Sequence, residues 1–222
     1  MVPNPPACKS DPRSLITKAT DQFSTPAPEA IIQGVATAIR ANNIDVRVVD
    51  TRAEAKDLVL ELVPTGAEVH SGKSKTLQDL GLFEEFFESG RYESVRGRYM
   101  KMDRQTQGRE IRKLTAAPDY MLGSVQAVTE GGDLVVASAS ASQLGPYASG
   151  AGRLILVVGS QKIVRDLEQA MRRIEQKVFR YEDALVRERM NISTFIGKLL
   201  IIRREWIDGR GTVILVREAV GV

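Results

Sequence analysis

The sequence predicts an α/β protein of three layers, in which a mainly parallel sheet carries helices on both faces and ends in an antiparallel C-terminal hairpin. Strand-like apolar runs alternate with segments of helical period along most of the chain. The run 154–158 has no polar alternation, which is typical of a strand buried on both faces. Near the end, runs 199–202 and 213–216 flank Asp-Gly-Arg-Gly at 208–211, which predicts the hairpin.

The N-terminal part divides into a Pro-rich segment and the start of the domain. Residues 1–25 are Pro-rich and polar, which predicts a flexible segment, and the α/β domain is expected to span residues 26–222. A helix is predicted over 27–42 from its apolar stripe, and a strand over 46–49. Thr51, with Glu54 three residues later, has the spacing of a capping box that opens the next helix.

The later elements follow the same alternation. Helical period predicts a helix over 103–117, and apolar residues then predict one strand over 120–128 with its turn at 130–133. A second strand over 134–137 leads into a Ser-rich loop and a short helix that opens at Gln143. After the strand 154–158, a Gly-Ser pair is expected to turn the chain into one long helix.

Composition excludes several classes of function. The chain has 222 residues, one cysteine (Cys8) and one histidine (His70). A single cysteine excludes internal disulfides and a four-cysteine iron–sulfur cluster, and the absence of a Cys/His cluster argues against zinc. No G-x-G-x-x-G is present to hold a dinucleotide. We therefore expect no metal and no bound cofactor.

Charge and hydropathy indicate the compartment and the kind of partner. No apolar run approaches the ~20 residues of a membrane span, and the N-terminus lacks a signal-peptide core, which favours a cytoplasmic protein without a membrane partner. The net charge is +3, and basic residues concentrate between 91 and 113. Few aromatic residues interleave with them, so we expect a solvated helix face beside a pocket for an anion rather than a nucleic-acid surface.

The first candidate ligand loop follows a predicted strand that ends near His70. In α/β sheets the ligand crevice lies beyond the carboxyl ends of the strands, which is where this loop is expected. Its hydroxyls, its glycine and its lysine suit a phosphate or carboxylate. GKS invites comparison with a nucleotide-binding P-loop, but position 67 is Ala where that motif needs Gly. The predicted ligand-binding residues here are Ser71, Gly72, Lys73, Ser74 and Thr76.

The second candidate loop follows the strand 134–137. Its small residues allow a ligand to approach the backbone, and its hydroxyls and the amides of a helix start suit an anion. The predicted ligand-binding residues here are Ser138, Ser140, Ser142 and Gln143. If both loops follow parallel strands, they should line one crevice, since parallel strands place such loops at one sheet edge.

Glu130 is the candidate catalytic residue. It is the one carboxylate of the central motif expected near the carboxyl end of a strand, and a carboxylate there suits a base or nucleophile. The alternative interpretation is an exposed turn residue before Gly131 and Gly132.

Several separated stretches resemble the lactate-utilisation (LUD) domain family. They are VPTGAEVHSGKSKTLQDLGL, GSVQAVTEGGDLV, SASASQLGPYASGA and VVGSQKIVRDLEQAMRRI, and the resemblance covers about residues 25–220. A looser likeness extends to ribose-5-phosphate isomerases, glucosamine-phosphate deaminases and CoA transferases. The sequence departs from the family pattern at Gln126, where many members have His, and at Ala141, where close members often have Gly.

The resemblance implies a link to lactate or related 2-hydroxy acids. The leading hypothesis is a component that binds a small carboxylate or phosphate and works with iron–sulfur redox subunits on other chains. One alternative is a stand-alone isomerase- or transferase-type enzyme for a phosphorylated sugar or CoA thioester, with Glu130 as base or nucleophile. Another is a non-catalytic ligand sensor or assembly subunit, and a homo-oligomer is compatible with each.

Overall fold

A computed structural model describes residues 22–222. Most of the predicted flexible segment, residues 1–21, lies outside this range. Within the range, Phe23 is buried and packs in an apolar cluster with Ala127, Val135 and Ile174. The described chain therefore begins against the body of the domain.

The main sheet has six parallel strands in the order β1-β10-β7-β4-β2-β3. Its centre is nearly all apolar because both faces are covered: alternate residues of β7 belong to two different core clusters. The predicted parallel α/β sheet is confirmed. The strands are β1 (Asp45–Val49), β2 (Glu68–Ser71), β3 (Glu93–Ser94), β4 (Tyr120–Gly123), β7 (Arg153–Gly159) and β10 (Gly211–Val216).

A second, smaller sheet has the order β8-β5-β6-β9. In it β5–β6 and β6–β9 are antiparallel and β5–β8 is parallel. The strands are β5 (Ala127–Thr129), β6 (Leu134–Ser138), β8 (Ile163–Val164) and β9 (Lys198–Ile202).

Helices and the second sheet form the layers around the main sheet. One face is covered by α2, α3 and α4, and the other by α1 together with the second sheet. The outer face of the second sheet packs against α7. The helices are α1 (Glu29–Ala41), α2 (Arg52–Leu62), α3 (Lys75–Asp79), α4 (Leu82–Phe87), α5 (Val95–Tyr99), α6 (Gly108–Ala116), α7 (Leu167–Arg173) and α8 (Phe179–Met190). Within residues 22–222, no helix combines the length and apolarity that crossing a membrane requires.

The predicted C-terminal hairpin is wrong. β9 pairs antiparallel with β6 in the second sheet, whereas β10 lies between β1 and β7 at the centre of the main sheet. The connection between them is anchored by Arg210, which is buried, pairs with Glu205 and donates to the backbone oxygen of Ala151 at 2.9 Å. The turn-like sequence therefore joins two sheets.

Other element bounds differ because the chain changes sheets. The single strand predicted over 120–128 is two strands, β4 and β5, joined by residues 124–126. The long helix predicted after Gly159 begins only at α7, where the Asp166 carboxylate caps it by accepting from the backbone N–H of Gln169. The helix predicted to open at Gln143 is instead a π-helical turn at Pro146–Gly150. Thr51 does cap α2, accepting from the N–H of Glu54.

Candidate functional site

A crevice opens at the carboxyl edge of the main sheet. β2, β4 and β7 are parallel, so the segments that follow them lie at the same edge. We name this space the inner crevice, and its empty volume is about 530 Å³. Its polar lining comes from residues 71–76, Ser124, Gln126, Gln143, Lys162 and Glu182.

The first loop uses some of its polar atoms to hold its own shape. The Ser74 hydroxyl caps α3 by accepting from the N–H of Leu77 at 3.3 Å. The hydroxyl of Ser71, which is fully buried, donates to the backbone oxygen of Gly72 at 2.6 Å. Lys73 forms an exposed ion pair with Glu182 of α8, with 3.1 Å between Nζ and Oε2. Part of the positive charge of Lys73 is thus balanced within the protein.

The second loop is braced around Gln143. The Ser138 and Ser142 hydroxyls both donate to the Gln143 side-chain oxygen, at 3.1 and 3.3 Å. The Ser138 hydroxyl also accepts from the N–H of Ala141, which has a positive φ of 65°. The loop meets the first at Gly72, where an added Cβ would stand 3.5 Å from the Cβ of Gln143.

The structure thus brings the two predicted loops together, but not all of their residues line the inner crevice. Gln143 lines the inner crevice directly. Ser138, Ser140 and Ser142 line an adjoining hollow that shares Lys73 and Gln143 with the crevice. The assignment of these residues to ligand binding stays a prediction.

Glu130 lies elsewhere. It sits in the β5–β6 turn, is exposed, and its backbone N–H donates to the oxygen of Val164 at 2.8 Å. It does not belong to the described residues that line the inner crevice. The sequence suggested otherwise because β5 reads as the end of a strand in the main sheet, whereas it belongs to the second sheet. This placement offers no support for a catalytic Glu130.

Lys162 is central to the crevice, although it is not among the ligand-binding residues predicted from the sequence. It follows β7 in a short 3-10 turn and is only 2% exposed. Its ammonium nitrogen donates to the hydroxyls of Thr76 at 2.8 Å and Ser124 at 2.9 Å. Ser124 is in turn fixed by the buried Tyr147 hydroxyl, which accepts from the Ser124 N–H at 3.2 Å. The available signal was a lysine directly after a buried parallel strand.

The surroundings of Lys162 are electropositive. Burial lowers the pKa of Lys162 well below its usual value, and the charges of Arg173 and Lys177 lower it further, while Asp79 opposes them. Arg173 is fully buried, and its Nε and one terminal nitrogen have no hydrogen-bond partner within the protein. Burial lowers the pKa of Lys177 to about 8. A carboxylate or phosphate is the chemical group that this arrangement favours.

No group of three or more His, Cys, Asp or Glu side chains in the part of the chain that the structure describes is placed to hold a metal ion. The single histidine, His70, is buried and contacts Tyr99 edge-on, with ring centroids 5.9 Å apart. Burial, and secondarily the charge of Arg96, lower its pKa to about 4, so it is a neutral imidazole near pH 7.

The fold and site define a parallel α/β protein with a cationic crevice at the carboxyl edge of its sheet. A family model described as LUD domain matches residues 32–206, so the chain belongs to the LUD domain family. Membership relates it in general terms to lactate utilisation. A search of curated proteins found no match. Among solved structures, the chain is similar to a DUF162 family protein from Deinococcus radiodurans, with 14% identity, a TM-score of 0.49, and coverage of 86% of this chain and 99% of that one.

Proposed function

We propose that this LUD-domain protein is a component of lactate or related 2-hydroxy-acid utilisation that binds a small anionic ligand in the inner crevice. The observation that carries the proposal is Lys162, a buried amine at the crevice held by two hydroxyls and without a carboxylate among its hydrogen-bond partners. A small carboxylate is of the right charge and size for it.

Ligand binding at Lys162 is coupled to its protonation. Burial and neighbouring cations disfavour the ammonium form, so in the free protein the neutral amine is the favoured state wherever the pH exceeds the lowered pKa. An anion beside the nitrogen raises that pKa and restores the charge. Lys162 therefore takes up a proton when a carboxylate binds. The affinity for the carboxylate rises as the pH falls toward the pKa of Lys162 in the free protein.

Electron transfer in such a system falls to other chains. The oxidation of a 2-hydroxy acid releases two electrons, and the one cysteine of this sequence cannot supply the thiolates of a four-cysteine cluster. We infer that redox subunits carrying such clusters work with this protein, which positions or senses the small acid.

Calorimetric titration with L-lactate and pyruvate in buffers of different ionisation enthalpy tests the binding step. We expect proton uptake on binding and, in Lys162→Met, a loss of affinity of about tenfold to a hundredfold, as for a lost charged hydrogen bond. Lys101→Met, which removes an exposed lysine, is the matched control and should bind as the parent does. Binding that is equal in both variants would refute the role of Lys162.

Growth on L-lactate tests the biological role. A strain deleted for this gene should grow poorly on L-lactate and normally on a sugar. Restoration by the parent gene and by Lys101→Met, but not by Lys162→Met, is the expected pattern. Normal growth of the deletion strain, with no second LUD gene present, would overturn the proposal.

A further inference from the structure

A second, wider recess lies beside the inner crevice and is not part of the proposed lactate site. It runs between β2, α5, α6 and the second loop, and its empty volume is about 1410 Å³. We name it the outer cleft. Among the residues that the structure describes, it shares only Gly72 and Lys73 with the inner crevice. Its polar lining includes His70, Lys73, Arg96, Arg104 and Arg112.

The charge of the outer cleft is one-sided. Four basic side chains line it, and none of its described lining residues is an aspartate or glutamate. Within residues 22–222, Arg96, Arg104 and Arg112 form no ion pair, although Arg96 donates to the Tyr99 hydroxyl at 3.3 Å. Guanidinium groups that converge on one recess without carboxylates suit a ligand with several negative charges.

His70 provides an independent indication of a ligand at the same place. It lies in the wall of the outer cleft, is 3% exposed, and its Nδ1 has no hydrogen-bond partner within the protein. Buried polar atoms in native proteins nearly always have a hydrogen-bond partner, because leaving one unpaired destabilises the folded state. A polar group of a ligand in the cleft would satisfy this nitrogen.

The rest of the lining limits the kind of ligand. Ile111, Ala116, Ala141 and Pro146 give the cleft an apolar wall, and Tyr99 adds an aromatic ring. We propose that the outer cleft binds a nucleotide-like small molecule, in which two or three phosphates contact the arginines and a flat, largely apolar group packs against this wall. The cleft is open and wide enough for such a ligand, whereas a lone phosphate would contact only part of its charge.

A binding series tests the proposal on the whole chain. Inorganic phosphate, pyrophosphate, tripolyphosphate, AMP, ADP and ATP are titrated against the protein at fixed ionic strength. We expect affinity to rise with the number of phosphates and ADP to bind more tightly than pyrophosphate. Arg104→Ala combined with Arg112→Ala should weaken ADP binding at least about tenfold, because charged hydrogen bonds are lost. L-lactate binding should stay unchanged in this double variant.

The matched control removes the same charge from the same helix region. Arg109→Ala combined with Lys113→Ala lies on α6 outside the cleft lining and should leave ADP binding within about twofold, a change within the effect of screened surface charge. An equal loss of ADP affinity in both double variants would show that the ligand responds only to the general positive charge of this surface, and it would overturn the proposal. So would tighter binding of single-stranded RNA than of ATP with a steep salt dependence, since the occupant would then be a polymer.

Discussion

The inner crevice and the outer cleft are neighbours that hold their cations in opposite ways. Lys162 and Arg173 near the crevice are 2% and 0% exposed. Arg104 and Arg112 of the cleft are exposed to solvent. Burial fixes the position of a cationic side chain and lowers its pKa, because the protein interior disfavours the ionised form. Exposure preserves the charge and leaves it open to screening by salt.

The difference indicates two kinds of recognition. In the proposed lactate site a small anion recharges a buried amine, so binding there should depend on pH more than on salt. In the ligand site proposed for the outer cleft, recognition depends on the number of negative charges, so binding there should depend on salt more than on pH.

The largest effect concerns His70, a buried titratable group in the wall of the outer cleft. Its folded pKa of about 4 lies below the ordinary 6.5, so the unfolded chain binds more protons between these values. Stability is therefore fully present above pH 6.5 and falls as the pH drops through 4, by up to about 3 kcal/mol. Urea unfolding of the parent and of His70→Gln from pH 7 to pH 4 measures this, and the variant should lose this part of the slope. Parallel curves would contradict it.

The next effect concerns Lys162 in the inner crevice. Replacing a buried amine without a carboxylate partner by an apolar side chain of similar length removes a desolvation cost larger than the gain from its two hydrogen bonds to hydroxyls, so Lys162→Met should raise the free energy of unfolding by about 1–2 kcal/mol near pH 7. Since the folded pKa is lowered, the parent gains stability as pH rises toward the ordinary 10.5, and the variant should lack this gain. Thermal and urea unfolding measure both. A loss above about 2 kcal/mol would show that Lys162 mainly supports the fold.

The two candidate ligand loops could be predicted from the sequence because their chemistry is local. Residues 71–76 and 138–143 follow strands and carry hydroxyls, glycine and lysine, and the edge on which they lie follows from parallel strands. The sequence does not decide whether Lys162 contacts an anion or is a surface lysine, because its burial depends on distant segments: a side chain at Gly221 would meet its nitrogen at 3.0 Å, and Thr76 accepts a hydrogen bond from it. A local sequence pattern does not show such packing between segments that are distant in sequence.

The sequence predicts the fold only to the level of a layered parallel sheet, because the local pattern again gives part of the answer. Apolar runs show which residues are buried, but not which strand pairs with which. β9 and β10 are both apolar enough for a sheet. Their partners, β6 for β9 and β1 and β7 for β10, lie at least 57 residues away in sequence, as between Leu154 and Gly211. The misplacement of Glu130 has the same origin, since the exit of β5 from the main sheet is set by pairing with β6 and β8.

A smaller effect is expected at the ion pair that joins the two regions. Lys73 lines both, and its partner Glu182 is 38% exposed, so the pair should contribute less than about 1 kcal/mol to stability. Glu182→Gln frees Lys73 and should tighten both L-lactate and ADP binding severalfold. Glu188→Gln on the same helix is the control and should change neither. Weaker binding in Glu182→Gln would mean that Glu182 itself contacts the ligand.

The smallest effect concerns Ala141, in the loop whose residues line the outer cleft and the hollow beside the crevice. Its φ of 65° lies in the left-handed region, where a Cβ costs about 1–2 kcal/mol and glycine costs none. Glycine also lowers the free energy of unfolding by about 0.4–1 kcal/mol, because it makes the unfolded chain more flexible. The net result is that Ala141→Gly should stabilise the protein by about 0.5 kcal/mol. Ala139→Gly in the same loop, where φ is not positive, should destabilise it instead. Urea unfolding of the two variants measures whether their free energies of unfolding change in opposite directions. A decrease in both variants would mean that the Ala141 methyl group packs well enough to offset its backbone strain.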